Sequence, residues 1–211
     1  MNRRRSKLLF ACLLLLPLPA AAETISFSGD SMESVLATGR ERTLLSGNAY
    51  VATEENVIRA DVIELYGDEF QYIRTRGHVE VLNEEKQIEL SCQELFYDRE
   101  ARVIRVNGNV VMVDKKNEMV VKGGFLEDWE DREETIVQIG VRVLKEDLVC
   151  RCEFARYLRD EDKLELAGMP VVNWKGDEYR ALKIFMDLDK DTIRLEGAIQ
   201  GTVVPEAEEE E

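Results

Sequence analysis

Histidine, cationic side chains and cysteine are scarce in this 211-residue chain, and each shortage excludes a class of function. The single histidine, His78, rules out a histidine-rich metal site and more than one histidine-dependent catalytic centre. Lysine and arginine number 28 against 43 acidic residues, a net charge of −15, whereas binding to phosphate backbones needs clusters of cations. The composition therefore argues against a nucleic-acid partner.

The cysteines do not form a disulfide framework. After the N-terminal segment, Cys92, Cys150 and Cys152 remain, and an odd count leaves a free thiol or an intermolecular bridge. Cys150 and Cys152 would share one face of a strand, too far apart for relaxed disulfide geometry. The spacing does not fit a structural zinc site either. We predict three small buried hydrophobes, with no metal and no cofactor.

Residues 1–22 have the pattern of a cleaved secretory signal peptide. Arg3–Arg5 and Lys7 form a basic start, Leu8–Leu18 is a short apolar run, and Ala20–Ala22 offers a small-residue cleavage site. A lipoprotein signal ending at Cys12 is the alternative. No later segment is long and apolar enough to be transmembrane. Export would leave 24 basic residues against 43 acidic ones, a net charge of −19.

An internal repeat of about 30 residues organises the rest of the chain. Similar text surrounds a series of glycines, as in SGNAYV, RGHVEV and NGNVVM, and a second apolar run such as IRADVIELYGDE follows about twelve residues later. Units of this length bury an apolar face only by stacking on each other. The glycines are Gly47, Gly77, Gly108, Gly140, Gly168 and Gly197.

The repeat has a period of two, which predicts strands. Ile73, Thr75, Gly77, Val79 and Val81 share one face in the second unit, and polar residues alternate with them. Two such strands per unit predict an all-β fold: an elongated, open β-jelly roll or solenoid-like sandwich over residues 23–204. Residues 205–211 would be a short disordered acidic tail.

The fourth unit fits only when its register is moved by one residue. Its inward residues are then Thr135, Val137, Ile139, Val141 and Val143, with Gly140 pointing outward. In the other units the inward glycines would let the strands bend at a corner of the sheet.

Candidates for catalysis have simpler explanations. His78 lies on the polar face and is expected to be a solvated surface residue. Acidic residues recur at matching turns, where turn chemistry explains them better than a catalytic pair, although rows of Ca²⁺ sites are an alternative. We therefore predict that the protein is not an enzyme. These acids are Asp68, Asp98, Asp131 and Asp160.

The chain resembles the OstA/LptA family. The resemblance rests on the signal peptide, on the stacked units over about residues 25–204, and on the opening SGNAYVATEENVIRADVIELYG with its Ile-x-Ala-Asp step and Glu-Leu-Tyr close. It implies a periplasmic protein that carries lipopolysaccharide, or a related glycolipid, toward the outer membrane. It also implies head-to-tail self-association and docking to related jelly-roll proteins of the inner and outer membranes. The open edges near residues 25–30 and 193–203 would make these contacts.

The same resemblance places lipid A acyl chains between the two sheets. The lipid-binding residues would be the inward apolar ones: Ile58, Ala60, Val62, Val79, Val81, Ile88, Leu90, Cys92, Val110, Met112, Val121, Val141, Val143 and Phe154. Missing side chains at the glycines would add interior room. Two alternatives remain open, namely an exported β-solenoid scaffold with a dry core and a polysaccharide-acting enzyme.

Overall fold

A computed structural model describes residues 24–37 and 39–204. The predicted signal peptide (1–22) and acidic tail (205–211) lie outside the described residues. Within the described ranges the only helices are three single turns of 3-10 helix, at Asp68–Phe70, Glu130–Arg132 and Arg159–Glu161. Most of the remaining backbone is strand, which confirms the all-β prediction.

Eight long strands form the body of the protein. They are β3 (Arg42–Ala52), β4 (Asn56–Tyr66), β5 (Tyr72–Asn83), β6 (Ile88–Asp98), β7 (Val103–Asp114), β8 (Met119–Trp129), β9 (Glu134–Lys145) and β10 (Leu148–Leu158). Shorter strands precede and follow them. These are β1 (Ser26–Ser28), β2 (Ser31–Val35), β11 (Lys163–Ala167), β12 (Val171–Trp174), β13 (Asp177–Arg180), β14 (Lys183–Asp187), β15 (Thr192–Glu196) and β16 (Gln200–Thr202).

All these strands join one antiparallel sheet. Strands β3 to β11 pair in chain order and continue into β14 and β15, while β1 and β2 both pair with β3. Strand β12 pairs with β10, β13 with β12, and β16 with β13. In the described part of the chain the sheet stays open instead of closing into a barrel, with β1 and β2 at one end and β15 and β16 at the other. The elongated jelly-roll architecture is confirmed.

A line of β-bulges makes a corner across the sheet. Between Ser46 and Ala49 of β3 the chain advances three residues while β4 advances two, from Val62 to Ala60. The same shift recurs in every pair from β3–β4 to β9–β10, and the extra residue always lies on β3, β5, β7 or β9. A bulge bends the strand that carries it. Aligned bulges therefore fold the whole sheet along one line.

The corner divides the sheet into two halves whose inner faces share one core. We call the half that ends in the 3-10 turns the front half-sheet; it contains β2, β11, β14, β15 and segments such as 42–46, 62–66 and 72–76. The back half-sheet contains β1, β12, β13, β16 and segments such as 49–52, 56–60 and 79–83.

Glycine is needed at the corner because of both conformation and space. Gly77 has φ of 74°, in the left-handed region that disfavours a side chain. A Cβ atom there would lie 2.2 Å from a carboxylate oxygen of Asp61 on the neighbouring strand. Asp61 is exposed, so the missing side chain leaves space toward the outside of the sheet and not toward the core. The prediction that the glycines bend the strands is confirmed.

The fourth unit uses the opposite arrangement. Ile139 takes the corner conformation, with φ of 70°, and the neighbouring strand carries Gly124, whose added Cβ would lie 2.9 Å from Cβ of Ile139. The side chain of Ile139 is therefore turned outward and is 64% exposed, so its predicted inward position is wrong. The other inward positions predicted for this unit are confirmed as buried, namely Thr135, Val137, Val141 and Val143.

Candidate functional site

The inner faces of the two half-sheets enclose one continuous apolar core. The core runs from Leu45 on β3 to Met186 on β14, so it follows the stack of strands along its length. Its residues are packed closely and none is more than 8% exposed. A core of this shape is a strip and not a compact cluster, because each added strand pair lengthens it without widening it.

Most of the residues predicted to bind lipid lie on this inner face. Ile88 is half-buried and packs against the core from its edge. The fully buried members of the predicted set are Ile58, Ala60, Val79, Val81, Leu90, Cys92, Val110, Met112, Val121, Val141 and Val143.

The inward positions predicted for Val62 and Phe154 are wrong. Both are half-buried on the outer face: Val62 is paired with Arg76, and Phe154 with Gln138. The extra residue of each bulge lies on the neighbouring strand. The strand without it therefore changes the parity of its inward side chains at the corner.

Because of this change of parity, residues that a constant period of two would place on the outer face lie on the inner face. On β4 the inward set passes from Ala60 to Ile63. A second run of alternating apolar residues after each corner is the signal that could have identified them. The inward residues beyond the corners of the even strands are Ile63, Leu65, Leu95, Tyr97, Leu126, Ala155 and Tyr157.

Opposite the corner, two rows of turns form the lips of the interior. The front lip consists of the turns 67–71, 99–102, 130–133, 159–162 and 188–191, and the back lip of the turns 53–55, 84–87, 115–118, 146–147 and 175–176. Backbone hydrogen bonds join neighbouring turns along each lip, as from Glu130 N–H to the carbonyl of Arg102 in the front and from Lys115 N–H to that of Gln87 in the back.

Side chains alone connect the two lips within the described residues. Arg102 of the front lip donates to both carboxylate oxygens of Glu55 of the back lip, at 2.9 and 2.8 Å. Further contacts follow along the lips: Lys86–Glu133 at 4.0 Å, Lys145–Asp162 at 4.0 Å and Lys175–Asp191 at 2.6 Å. The lips could therefore separate without breaking a strand ladder.

Glu130 is the most buried of these cross-lip groups, at 4% exposure. Its carboxylate accepts hydrogen bonds from Asn56 Nδ2 at 3.3 Å and from the Tyr97 hydroxyl at 3.2 Å, and Arg102 lies 3.7 Å away. Removal from water outweighs these partners and raises the pKa of the Glu130 carboxyl. The nearby cations Lys86 and Arg102 oppose this shift, Lys86 more strongly, so the carboxylate depends on both of them.

The front lip is also braced internally. Arg159 has a side chain only 6% exposed and contacts the carboxylates of Asp128 and Glu133, the latter at 2.9 Å. Burial lowers the pKa of the Arg159 guanidinium, but the two carboxylates outweigh it and raise the pKa overall. The ion pairs of Arg159 within the front lip are therefore more buried than the ion pairs that join the two lips.

The three cysteines are free thiols inside the back half-sheet. Burial raises the pKa of Cys92 to about 12 and that of Cys152 to about 12, and it raises the pKa of Cys150 further. A buried thiol with a raised pKa reacts slowly at neutral pH. These thiols are therefore natural reporters of whether the interior opens.

The single histidine lies on the outer surface. His78 is exposed at the corner, and its Nδ1 lies 2.9 Å from Asp61, a contact that raises the pKa of the imidazole. Among the described residues no group of three or more His, Cys, Asp or Glu side chains could hold a metal ion. The same residues contain no helix of the length and apolarity needed to cross a membrane.

Both ends of the sheet carry exposed apolar side chains. Phe27 and Met32 lie on β1 and β2 at one end, and Ile199 and Val203 lie beside β16 at the other. Exposed apolar residues on unpaired edge strands favour strand addition by another sheet.

Comparisons with known proteins give a structural similarity and no match by sequence. No protein-family model and no curated protein sequence matches the chain. Among solved structures the chain is similar to LptH from Pseudomonas aeruginosa, described as the LptA-homologous periplasmic component of the lipopolysaccharide transport device. The alignment covers 87% of this chain and 96% of that one, with 11% sequence identity and a TM-score of 0.27. A similarity of this size assigns neither family nor function.

Proposed function

We propose that this chain is a periplasmic bridge that binds lipopolysaccharide, or a related glycolipid, by its acyl chains and passes it toward the outer membrane. The observation that carries the proposal is a continuous apolar interior bounded on one side by lips that only side chains hold together. The proposal assigns binding residues and no catalytic residue.

The interior has the chemistry that acyl chains need. Transfer of apolar groups out of water stabilises by about 0.8 kcal/mol per CH₂, so an acyl chain of about ten CH₂ groups gains about 8 kcal/mol. That gain must offset the packing lost when the half-sheets separate. Because the strip is continuous, chains could move along it while staying out of water.

The lips have the chemistry that an anionic head group needs. Lys86 and Lys175 lie on the back lip and Lys145 directly precedes one of its turns, and all three now face acids of the front lip. If the lips separated, these lysines would lose their partners at the opening where phosphates of a lipid head group would emerge. Local cations of this kind would compensate for the acidic charge of the chain as a whole.

An exported scaffold with a dry core is the second candidate, and the close packing of the interior favours it. The predicted lipid-binding residues that lie inward are nearly all buried by protein atoms. Such a core needs no guest molecule to be stable.

Photo-crosslinking in the native host separates the two candidates. A photoreactive amino acid replaces Leu90, which is buried on the inner face, or Ser91, which is the adjacent exposed residue of the same strand. The carrier is expected to capture glycolipid at position 90 and not at position 91. A protein that melts normally but captures nothing at position 90 would instead be the dry scaffold.

Self-association through the ends is a separate prediction of the proposal. Phe27→Lys together with Ile199→Lys is expected to shift the chain from oligomers to monomer in sedimentation equilibrium, because charged edge residues oppose strand addition. The matched control is Leu144→Lys, an exposed residue on the outer face away from both ends. Monomers in the parent chain at every concentration, without capture of related jelly-roll proteins, would contradict the prediction.

A further inference from the structure

Three cations lie side by side on the outer face of the back half-sheet. Lys122 on β8 is paired in register with Arg142 on β9, and Arg142 is paired with Arg151 on β10. All three residues are exposed, and none makes an ion pair with another described residue. We call these three residues the cation row. Like charges directly opposite each other on neighbouring strands repel and destabilise the sheet. An anion bound at the cation row would reduce this repulsion.

On the outer face of the front half-sheet, the corresponding cations have acidic partners. Its corresponding outer row carries Arg74, Arg105 and Arg156, and each of these arginines faces a glutamate on a neighbouring strand: Glu64, Glu127 and Glu165, respectively. In a chain with 43 acidic residues, neighbours of opposite sign are easily supplied. The missing partners of the cation row are therefore a specific feature of the back half-sheet and not a shortage of acids.

We propose that the C-terminal segment Pro205–Glu211, with the sequence PEAEEEE, binds to the cation row. The segment carries five glutamates in seven residues and no basic residue. Its charge is opposite to that of the row. The proposed occupant is thus part of the same molecule.

The strand order gives the segment a short path to the row. Strand β16 is separated from β10 by β13 and β12, so Arg151 lies three strand spacings of about 4.8 Å away, about 14 Å, and Arg142 on β9 lies four spacings away, about 19 Å. Seven extended residues can span about 23 Å. The described chain ends at Val204, whose N–H donates to Asp177 at 2.9 Å on the same half-sheet. The glutamates can therefore reach Arg151 and Arg142.

Because the C-terminal segment is covalently attached to the sheet, weak contacts are enough for it to bind the cation row. A segment tethered by a short linker has an effective concentration in the millimolar range at its own binding site. Exposed ion pairs are individually weak and are screened by salt. Binding of the segment should therefore be reversible and strongly dependent on ionic strength. A competing anionic partner could then displace it.

A spin label on the C-terminal segment tests the proposal in the full mature chain. Ala207→Cys introduces a reactive thiol, and the three native thiols are buried, so a nitroxide label attaches at position 207. Paramagnetic broadening of backbone amide signals is then measured for Lys122, Arg142 and Arg151. One variant carries Arg142→Gln and Arg151→Gln. The matched control, Arg105→Gln with Arg156→Gln, removes the same charge from the front half-sheet.

The expected result is strong broadening at the cation row in the parent and in the control. The broadening should fall at least about fivefold in the Arg142→Gln, Arg151→Gln variant and at about 1 M NaCl. Absent broadening, or broadening that neither change reduces, would overturn the proposal. Binding of vesicles that contain anionic phospholipid, equally with and without residues 205–211 and dependent on Arg142 and Arg151, would assign the row to a lipid surface and also overturn it.

Discussion

Gly77→Ala is expected to lower the free energy of unfolding by about 2–5 kcal/mol. An alanine held at φ of 74° costs about 1–2 kcal/mol because its Cβ crowds the carbonyl oxygen. The new Cβ would also overlap a carboxylate oxygen of Asp61 at 2.2 Å, and overpacking of this kind costs about 1–3 kcal/mol. Urea denaturation of the two proteins measures the sum.

Two further variants separate these costs. Gly140 has a similar φ of 63° with open space around its missing Cβ, so Gly140→Ala should show only the backbone cost. Asp61→Gly in the Gly77→Ala background copies the arrangement of the fourth unit, where Ile139 lies over Gly124. The double variant should recover at least about 1 kcal/mol relative to additivity. If the effects of the two substitutions are additive, the side chain of Asp61 is not what excludes a side chain at position 77.

Arg102→Ala is expected to cost about 2–3 kcal/mol and to open the interior. The substitution leaves the buried carboxylate of Glu130 with Lys86 as its remaining cation, and removal of one partner costs about 3–5 kcal/mol in a fully buried pair. Arg102 is 34% exposed at its side chain, so solvent reduces the effect. Because Arg102 joins the lips, the reaction of Cys92 with a thiol reagent near pH 8 should accelerate. Lys115→Ala, which removes an exposed pair with Glu89, should change neither quantity by much.

The pH dependence of the same variant has a definite sign. A carboxyl whose pKa is raised by folding stabilises the folded state at low pH, and this stabilisation is lost as the pH rises through the folded pKa. The pKa of Glu130 is raised by burial. The deficit of Arg102→Ala relative to the parent should therefore be smaller at about pH 5 than at about pH 7.5. A deficit that grows on acidification would exclude Glu130 as its cause.

The repeat made much of the fold predictable. On the glycine-bearing strands the same alternation of inward and outward residues continues on both sides of the corner, because the bulge adds one residue to those strands. On β5 the inward residues include Ile73, Val79 and Val81. Glycine itself marked the place of the bend. The elongated shape followed from stacking of similar units. Each of these features depends on residues close together in the chain, so local patterns were enough.

The even strands followed a different rule. Val62 and Phe154 continue a regular alternation in sequence, yet both lie on the outer face, because the extra residue that shifts their register belongs to the neighbouring strand. Ile139 likewise faces outward because the strand beside it has a glycine at position 124. In both cases the deciding residue lies on the neighbouring strand, so a constant alternation along one strand gives the wrong face.

The sequence by itself determined the class of fold, the length of the repeat and the positions of the bends, since these depend on side-chain period and on glycine. Only the tertiary structure decided which turns face each other across the interior and which cations lack partners. Glu55 and Arg102 are separated by 47 residues, and Lys122, Arg142 and Arg151 lie on three strands. Such neighbours are brought together by the fold of the whole sheet, because pairing across strands depends on register and not on distance along the chain.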